Sequence, residues 1–223
     1  MKKKAVVIGA TGLVGRQLVR LMLKDDKYES ILVVTRRKYD IKDPKVVEVL
    51  IEDFDDLSKH KAKMSGHDFY CALGTTRKKA GSKEAFLKVD VEYPLTFAQI
   101  ASKQKDFQQL LVVSAVGANS SSPLFYNKAK GELEDQLQNL KLRALKIFQP
   151  SLLLGDRKEF RLFEEVAKVV SKIASFFVIG SKKHVGAIRD VEVAKSMIEV
   201  AHQNEMGFRR IKPGEMIGIV YSL

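Results

Sequence analysis

The first residues of the chain carry its tightest constraint. Ala5-Val6-Val7-Ile8, apolar at every position, runs straight into Gly9-Ala10-Thr11-Gly12-Leu13-Val14-Gly15. A strand without polar alternation must be covered on both faces. Leu13–Lys24 then puts Leu13, Leu18, Leu21 and Met22 on one side of a helix. Each glycine between strand and helix has its own use. Gly9 lets the backbone turn sharply, Gly12 lets a pyrophosphate approach the main chain, and Gly15 lets the helix lie close to the strand. The helix starting near Gly12 aims unpaired N–H groups and the positive end of its dipole at the turn. The pattern G-x-x-G-x-x-G is one residue longer than the standard dinucleotide fingerprint, and a glycine-rich turn without a ligand is its plainer reading.

The rest of the chain repeats this alternation. Short β-branched runs at Ile31–Val34, Val46–Ile51, Phe69–Leu73, Leu110–Val113 and Ala144–Phe148 read as strands. Glu84–Lys105, started again or bent at Pro94, and Phe125–Leu140 read as helices. The predicted architecture is α/β, a doubly wound parallel sheet in a single domain over residues 1–223, with ligands at the carboxyl ends of the strands. The periodicity loosens after about Pro150, so residues 150–223 are expected to supply a smaller, C-terminal substrate lobe. The single cysteine, Cys71, excludes an internal disulfide and a CxxC site, and reads as a small core residue. His60, His67, His184 and His202 lack metal-ligand spacing, so no metal is expected. No stretch reaches the roughly 18 apolar residues of a membrane helix. The apolar run behind Lys2-Lys3-Lys4 is short and is followed by Arg16 and Arg20, unlike a secretory signal. A cytoplasmic protein of a reducing compartment is the expectation.

The end of the second strand bears on the cofactor. A site preferring NAD places Asp or Glu there to bind the ribose 2′-hydroxyl. This chain has Thr35-Arg36-Arg37-Lys38, and its first acid is Asp40. Arg36 can hold a 2′-phosphate bidentately or stack on adenine, with Arg37 or Lys38 as a second cation. A hydrogen bond to a charged group contributes ~1.5–3 kcal/mol, or roughly tenfold to 150-fold in affinity. NADP(H) is therefore expected over NAD(H), with a solvated basic turn as the alternative. A second basic turn, Thr75-Thr76-Arg77-Lys78-Lys79, follows the fourth strand. In a doubly wound order the second and fourth strands flank the first, so both turns border one mouth and account for part of the net charge of +12. Asp53 either accepts from the adenine amino group or caps the helix that follows it. The lysines are interleaved with acids, and there is no helix-turn-helix, zinc-finger or aromatic RNA-binding signature. Nucleic acid is not an expected partner.

Tyr126 and Lys130 stand four residues apart on a predicted helix, hence on one face, and Ser114 ends the strand Leu110–Val113. Carbonyl reduction needs a proton donor at the oxygen while a nicotinamide delivers hydride, and alcohol oxidation needs the reverse. A phenol working near pH 7 must drop ~3 pKa units, about 4 kcal/mol. A lysine cation roughly 4 Å away contributes on the order of 4 kcal/mol at an effective dielectric of 20. Lys130 is thus expected to acidify Tyr126 and to hold the nicotinamide ribose, while Ser114 orients the substrate oxygen and stabilises its developing charge. A tyrosine and a lysine at this spacing also occur by chance, so the weight rests on their combination with the glycine turn.

Several segments together resemble the short-chain dehydrogenase/reductase superfamily in its extended or atypical NAD(P)-binding branch, and most nearly its Tat-interacting-protein oxidoreductase-like family. They are Ala72-Leu73-Gly74-Thr75-Thr76-Arg77, Lys79-Ala80-Gly81, Lys88-Val89-Asp90, Val112-Val113-Ser114, Tyr126 with Lys130-Gly131-Glu132, and Gln149-Pro150-Ser151-Leu152-Leu153-Leu154-Gly155-Asp156-Arg157. Ile188-Arg189-Asp190-Val191 resembles the late V-x-D-V-A element, with Val193-Ala194 two residues late. The resemblance covers nearly the whole chain and implies a Rossmann fold. It implies cofactor contacts at Gly9, Thr11, Gly12, Leu13, Val14, Arg36, Arg37, Asp53, Leu73, Gly74 and Lys130. The backbone of Pro150, Leu152 and Leu153 would meet the carboxamide, and Ser114, Tyr126 and Lys130 would be the catalytic triad. Two departures stand out. Gln149 occupies a position where relatives usually carry Arg, and Glu84–Lys105 lacks the Asn that relays protons through water in conventional members.

The expected activity is that of an NADP(H)-dependent oxidoreductase on a small carbonyl or hydroxyl compound, with nucleotide-sugar and epimerase-like chemistry within the resemblance. The alternative is an NADP(H)-binding regulatory or redox-sensing protein with little turnover. Homodimers through four-helix contacts are also compatible with the resemblance. Phe160–Lys172 with Phe176, Phe177, Val178, Lys182 and Lys183 reads either as a lid or core helix or as a surface for a membrane or partner.

Overall fold

A computed structural model of the protein describes residues 2–155 and 186–222. Strands β1 (Lys3–Ile8), β2 (Tyr28–Thr35), β3 (Val46–Leu50), β4 (Asp68–Cys71), β5 (Gln109–Val113), β6 (Ala144–Phe148) and β9 (Gly207–Ile211) form one sheet in the order β3-β2-β1-β4-β5-β6-β9. Every neighbouring pair is parallel. The two short strands β7 (Leu153–Leu154) and β8 (Ile188–Arg189) pair separately. The doubly wound sheet read from the sequence is the observed one, with β2 and β4 on either side of β1.

The apolar runs are central strands because both faces of the sheet are covered. Along β1, Val6 and Ile8 join one core and Ala5 and Val7 the other. The first core is closed by Phe86, α4 (Tyr93–Ser102) and α5 (Phe125–Asn139). The second is closed by α1 (Leu13–Leu23), α6 (Asp190–Gln203) and α7 (Pro213–Tyr221). The edge strands differ, since β3 and β9 are mostly exposed and carry charges at Glu48, Arg209 and Arg210.

The helix expected over Glu84–Lys105 is three pieces: α3 (Lys83–Leu87), one turn of π-helix over Lys88–Glu92, and α4 with Pro94 in its first turn. A four-residue helix, α2 (Arg77–Ala80), capped by Thr76, occupies the second basic turn. The expected lobe over 150–223 is only partly visible. Residues 190–221 build α6, β9 and α7 into the main sheet and its helical layer, while residues 156–185 lie outside the described residues. That span includes Phe160–Lys172, Phe176, Phe177, Val178, Lys182 and Lys183, and most of the substrate-side reading with them.

Candidate active site

The carboxyl ends of β1, β2, β4, β5 and β6 bring most of the singled-out residues to one edge of the sheet. Gly9 has φ +82°, and a Cβ there would lie 2.5 Å from the carbonyl carbon and oxygen of Ala72. The turn after β1 is thus pressed against the chain leaving β4, which sets Leu73 and Gly74 beside it. A Cβ on Gly15 would meet the Gly9 carbonyl oxygen at 2.2 Å, so α1 lies as close to the turn as a helix can. The Gly12 N–H donates to the Gly9 carbonyl at 3.0 Å. Gly12 is the N-cap of α1, no side chain caps that end, and no acid stands in its first turn. Uncapped donors, a positive dipole end and a close backbone approach fit the pyrophosphate of a dinucleotide. Leu13 borders this turn and also packs near Gly155, where a Cβ would lie 2.4 Å from Leu13 Cδ2. Thr11 is exposed, while the Val14 side chain faces the core, leaving only its main chain toward the turn.

The basic turn after β2 is shaped by Thr35, whose hydroxyl donates to the Arg37 carbonyl at 2.9 Å. Arg36, Arg37 and Lys38 are exposed. The Arg36 guanidinium lies 5.1 Å over the Phe54 ring and 3.8 Å from Asp53 Oδ2. Asp53 acts as the helix cap considered for it, accepting from the Asp55 N–H at 2.9 Å, and Tyr93 also donates to it at 3.2 Å. The guanidinium is thus steadied on a ring and a carboxylate. The carbonyls of Pro150 and Leu152 accept from the Val116 and Ile188 N–H groups, and Leu153 pairs with Ile188, so this segment is tied down on both sides.

Tyr126 and Lys130 share one face of α5, and Ser114 follows β5. Each of the last two is bonded to a buried carboxylate that sequence reasoning did not assign. Lys130 Nζ lies 2.7 Å from Asp90 Oδ1, with side-chain exposures of 4% and 1%. Asp90 sits in the π-helical turn, and its other oxygen accepts from the Thr75 N–H at 2.8 Å. The Ser114 hydroxyl donates to Glu134 Oε1 at 2.6 Å. Glu134 also accepts from Gln149 Nε2 at 2.8 and 3.1 Å and from Arg210 Nε at 2.8 Å. Arg210 supplies a cation beside the position where Gln149 stands in place of the usual arginine. For Ser114 to donate to a substrate oxygen its hydroxyl must rotate, and the other donors keep Glu134 satisfied when it does.

The expected acidification of Tyr126 is overturned. Burial, partly against Phe86 at 5.9 Å, raises the phenol above its ordinary value. The Lys130 charge pulls it down, and Asp90 pushes it up again. A lone lysine cation would supply about 4 kcal/mol, whereas the Lys130 ammonium is already paired with Asp90. Burial disfavours that ammonium, but the Asp90 carboxylate, with Tyr126 and Cys71, outweighs it and holds Lys130 above the usual lysine value. Cys71, at the end of β4, is pushed up to about 12 by burial and stays a thiol, as a core residue should. No cluster of His, Cys, Asp and Glu suited to a metal ion occurs among the described residues.

A family profile described as NAD(P)H-binding matches residues 9–153, from the glycine turn that follows β1 to the first residue of β7. The chain belongs to that family. Within the NAD(P)H-binding family it is 36% identical over 205 residues to a protein named FMP52, mitochondrial, from Meyerozyma guilliermondii, covering 89% of this chain and 85% of that one. It is 35% identical over 172 residues to the HTATIP2 protein of Rattus norvegicus, covering 75% and 70%. Among solved structures, a short chain dehydrogenase from Burkholderia cenocepacia in complex with NADP superposes with a TM-score of 0.70 at 13% identity, over 99% of this chain and 92% of that one. The HTATIP2 relative belongs with the family that the motifs resemble, and the superposition shows that the fold is that of a short chain dehydrogenase. One expectation is corrected here. The FMP52 relative is mitochondrial by name, which points away from a cytoplasmic setting. No helix among the described residues is long and apolar enough to cross a membrane.

Proposed function

We propose that this protein is an NADP(H)-dependent oxidoreductase of the short-chain dehydrogenase/reductase type, acting on a small carbonyl or hydroxyl compound. The observation that carries the reading is the convergence of Tyr126, Lys130 and Ser114 beside a glycine turn whose helix end is uncapped. The bound dinucleotide would supply the hydride. Gly9, Thr11, Gly12, Leu13 and Val14 would cradle its pyrophosphate, Leu73 and Gly74 would border its ribose, and Pro150, Leu152 and Leu153 would face its carboxamide. Arg36, backed by Phe54 and Asp53, and Arg37 would meet the adenosine end and a 2′-phosphate. Lys130 keeps donors for the ribose hydroxyls besides the one given to Asp90. Ser114 would orient the substrate oxygen. In reduction Tyr126 Oη would give its proton to the substrate oxygen as that oxygen gains negative charge, and would be reprotonated from solvent.

Thermal shift with NADPH and NADH tests the cofactor. NADPH should raise the melting temperature more, and Arg36→Ala should erase the difference; equal shifts in the unaltered protein refute the preference. A carbonyl panel followed by NADPH absorbance tests turnover, and Tyr126→Phe should abolish it while NADPH still binds. The second reading, an NADP(H)-sensing protein with little turnover, draws on Lys130 being held by Asp90. It predicts that Tyr126→Phe changes nothing measurable.

A further inference from the structure

We propose that Asp90 is a positioning residue that neutralises Lys130 and keeps Tyr126 a proton donor, so that the site is set for carbonyl reduction at neutral pH rather than for alcohol oxidation. This rests on the oxidoreductase reading above. The geometry is that of a fixed element. Asp90 is 1% exposed, with one oxygen 2.7 Å from Lys130 Nζ and the other held by the Thr75 N–H at 2.8 Å, so it spans α5 and the loop after β4. A single π-helical turn interrupts an otherwise α-helical stretch at this residue, and such turns concentrate at functional sites.

The groups facing Tyr126 decide its protonation. From its own helix comes the Lys130 ammonium, and from the π-helical turn comes the Asp90 carboxylate. Phe86 of α3 offers an apolar ring at 5.9 Å, and Cys71 of β4, which faces Lys130, is an uncharged thiol. Burial is the largest influence on the phenol and favours the neutral form, the Lys130 charge pulls the other way, and the Asp90 charge opposes Lys130. A neutral phenol can donate to a carbonyl oxygen as hydride arrives. Oxidation needs the phenolate as base, a form that is scarce until well above neutral pH. The oxidative rate should therefore climb about tenfold per pH unit from 7 to 9, while the reductive rate stays level.

The test is tyrosine titration by 13C NMR on the full chain, whose six tyrosines are resolved by labelling. The Tyr126 signal is assigned as the one missing from Tyr126→Phe. It should not titrate below about pH 10, with or without NADPH. In Asp90→Asn the unmasked ammonium should lower the Tyr126 midpoint by about one unit or more. An unchanged midpoint in that variant overturns the proposal, as does a Tyr126 midpoint below about 9 in the unaltered protein. The second result suffices alone if Asp90→Asn does not fold. A high midpoint together with no turnover of any carbonyl would sink the oxidoreductase reading and the direction resting on it, yet leave the hold of Asp90 on Tyr126 standing.

Discussion

Glu134 offers a test of the site that needs neither cofactor nor substrate. The perturbation is Glu134→Gln, nearly isosteric, in a side chain only 2% exposed. The carboxylate accepts from three partners: Ser114 at 2.6 Å, Gln149 at 2.8 and 3.1 Å, and Arg210 at 2.8 Å. The amide keeps one acceptor and turns an N–H₂ toward Gln149 or Arg210, setting donor against donor. A lost hydrogen bond to a charged group costs ~1.5–3 kcal/mol. The Arg210 contact counts for less, because that side chain is 39% exposed and can turn to water. Burying an amide in place of a carboxylate offsets part of the loss. The net expectation is a destabilisation of ~2–3 kcal/mol. For a chain of this size that is a fall in Tm of roughly 4–12 °C. Urea unfolding followed by far-UV circular dichroism measures it, with the m-value unchanged. Arg210→Ala should cost about 1 kcal/mol, and the double variant less than the sum of the two. A loss under ~0.5 kcal/mol for Glu134→Gln, the range of an ordinary surface change, would refute the claim that this position needs both carboxylate oxygens to accept from Ser114, Gln149 and Arg210 together.

Other outcomes follow from the same geometry. Gly9→Ala places a Cβ 2.5 Å from the Ala72 backbone at a φ of +82° and should destabilise by about 2 kcal/mol or more in urea unfolding. Gly12→Ala meets the Gly9 oxygen at 3.3 Å and the Ala72 oxygen at 3.9 Å, neither a severe clash, so its Tm should hold while calorimetry shows NADPH affinity down tenfold or more. At the opposite end of the strands, buried Asp68 accepts from Tyr28 at 2.6 Å, Gln109 at 3.0 Å and Lys3 at 3.1 Å. Asp68→Asn should lower stability by ~2–4 kcal/mol without altering NADPH affinity, since it lies far from the ligand edge. Burial holds the His202 imidazole below the ordinary value of 6.5 against the pull of Asp25 at 3.0 Å. The folded state then binds fewer protons than the unfolded one, so this contribution is full above pH 6.5 and fades as pH falls through the lowered value. His202→Gln should flatten the acid side of the stability profile; an unchanged slope would show that other groups govern it.

The sheet, its order around β1 and the glycine turn were legible because each depends on neighbours along the chain. Apolar runs with no polar alternation can only be strands covered twice, and a glycine between such a strand and a helix leaves few turns available. Tyr126 and Lys130 were legible as a pair for the same reason, since a helix repeats every 3.6 residues and puts positions four apart on one face. Glu134 extends that face by another four, a signal that was present but carried no chemistry until Ser114 and Arg210 were seen around it. Asp90 was visible only as the end of the Lys88-Val89-Asp90 segment, with no role attached to it. Whether that acid capped, faced solvent or met a cation depended on how the π-helical turn docks on α5. The protonation of Tyr126 went with it. The field at a buried group is a sum over every charge packed against it, and those charges come from segments that share no spacing rule. Periodicity settles which residues lie together on one element, and docking between elements settles which charges are left uncancelled.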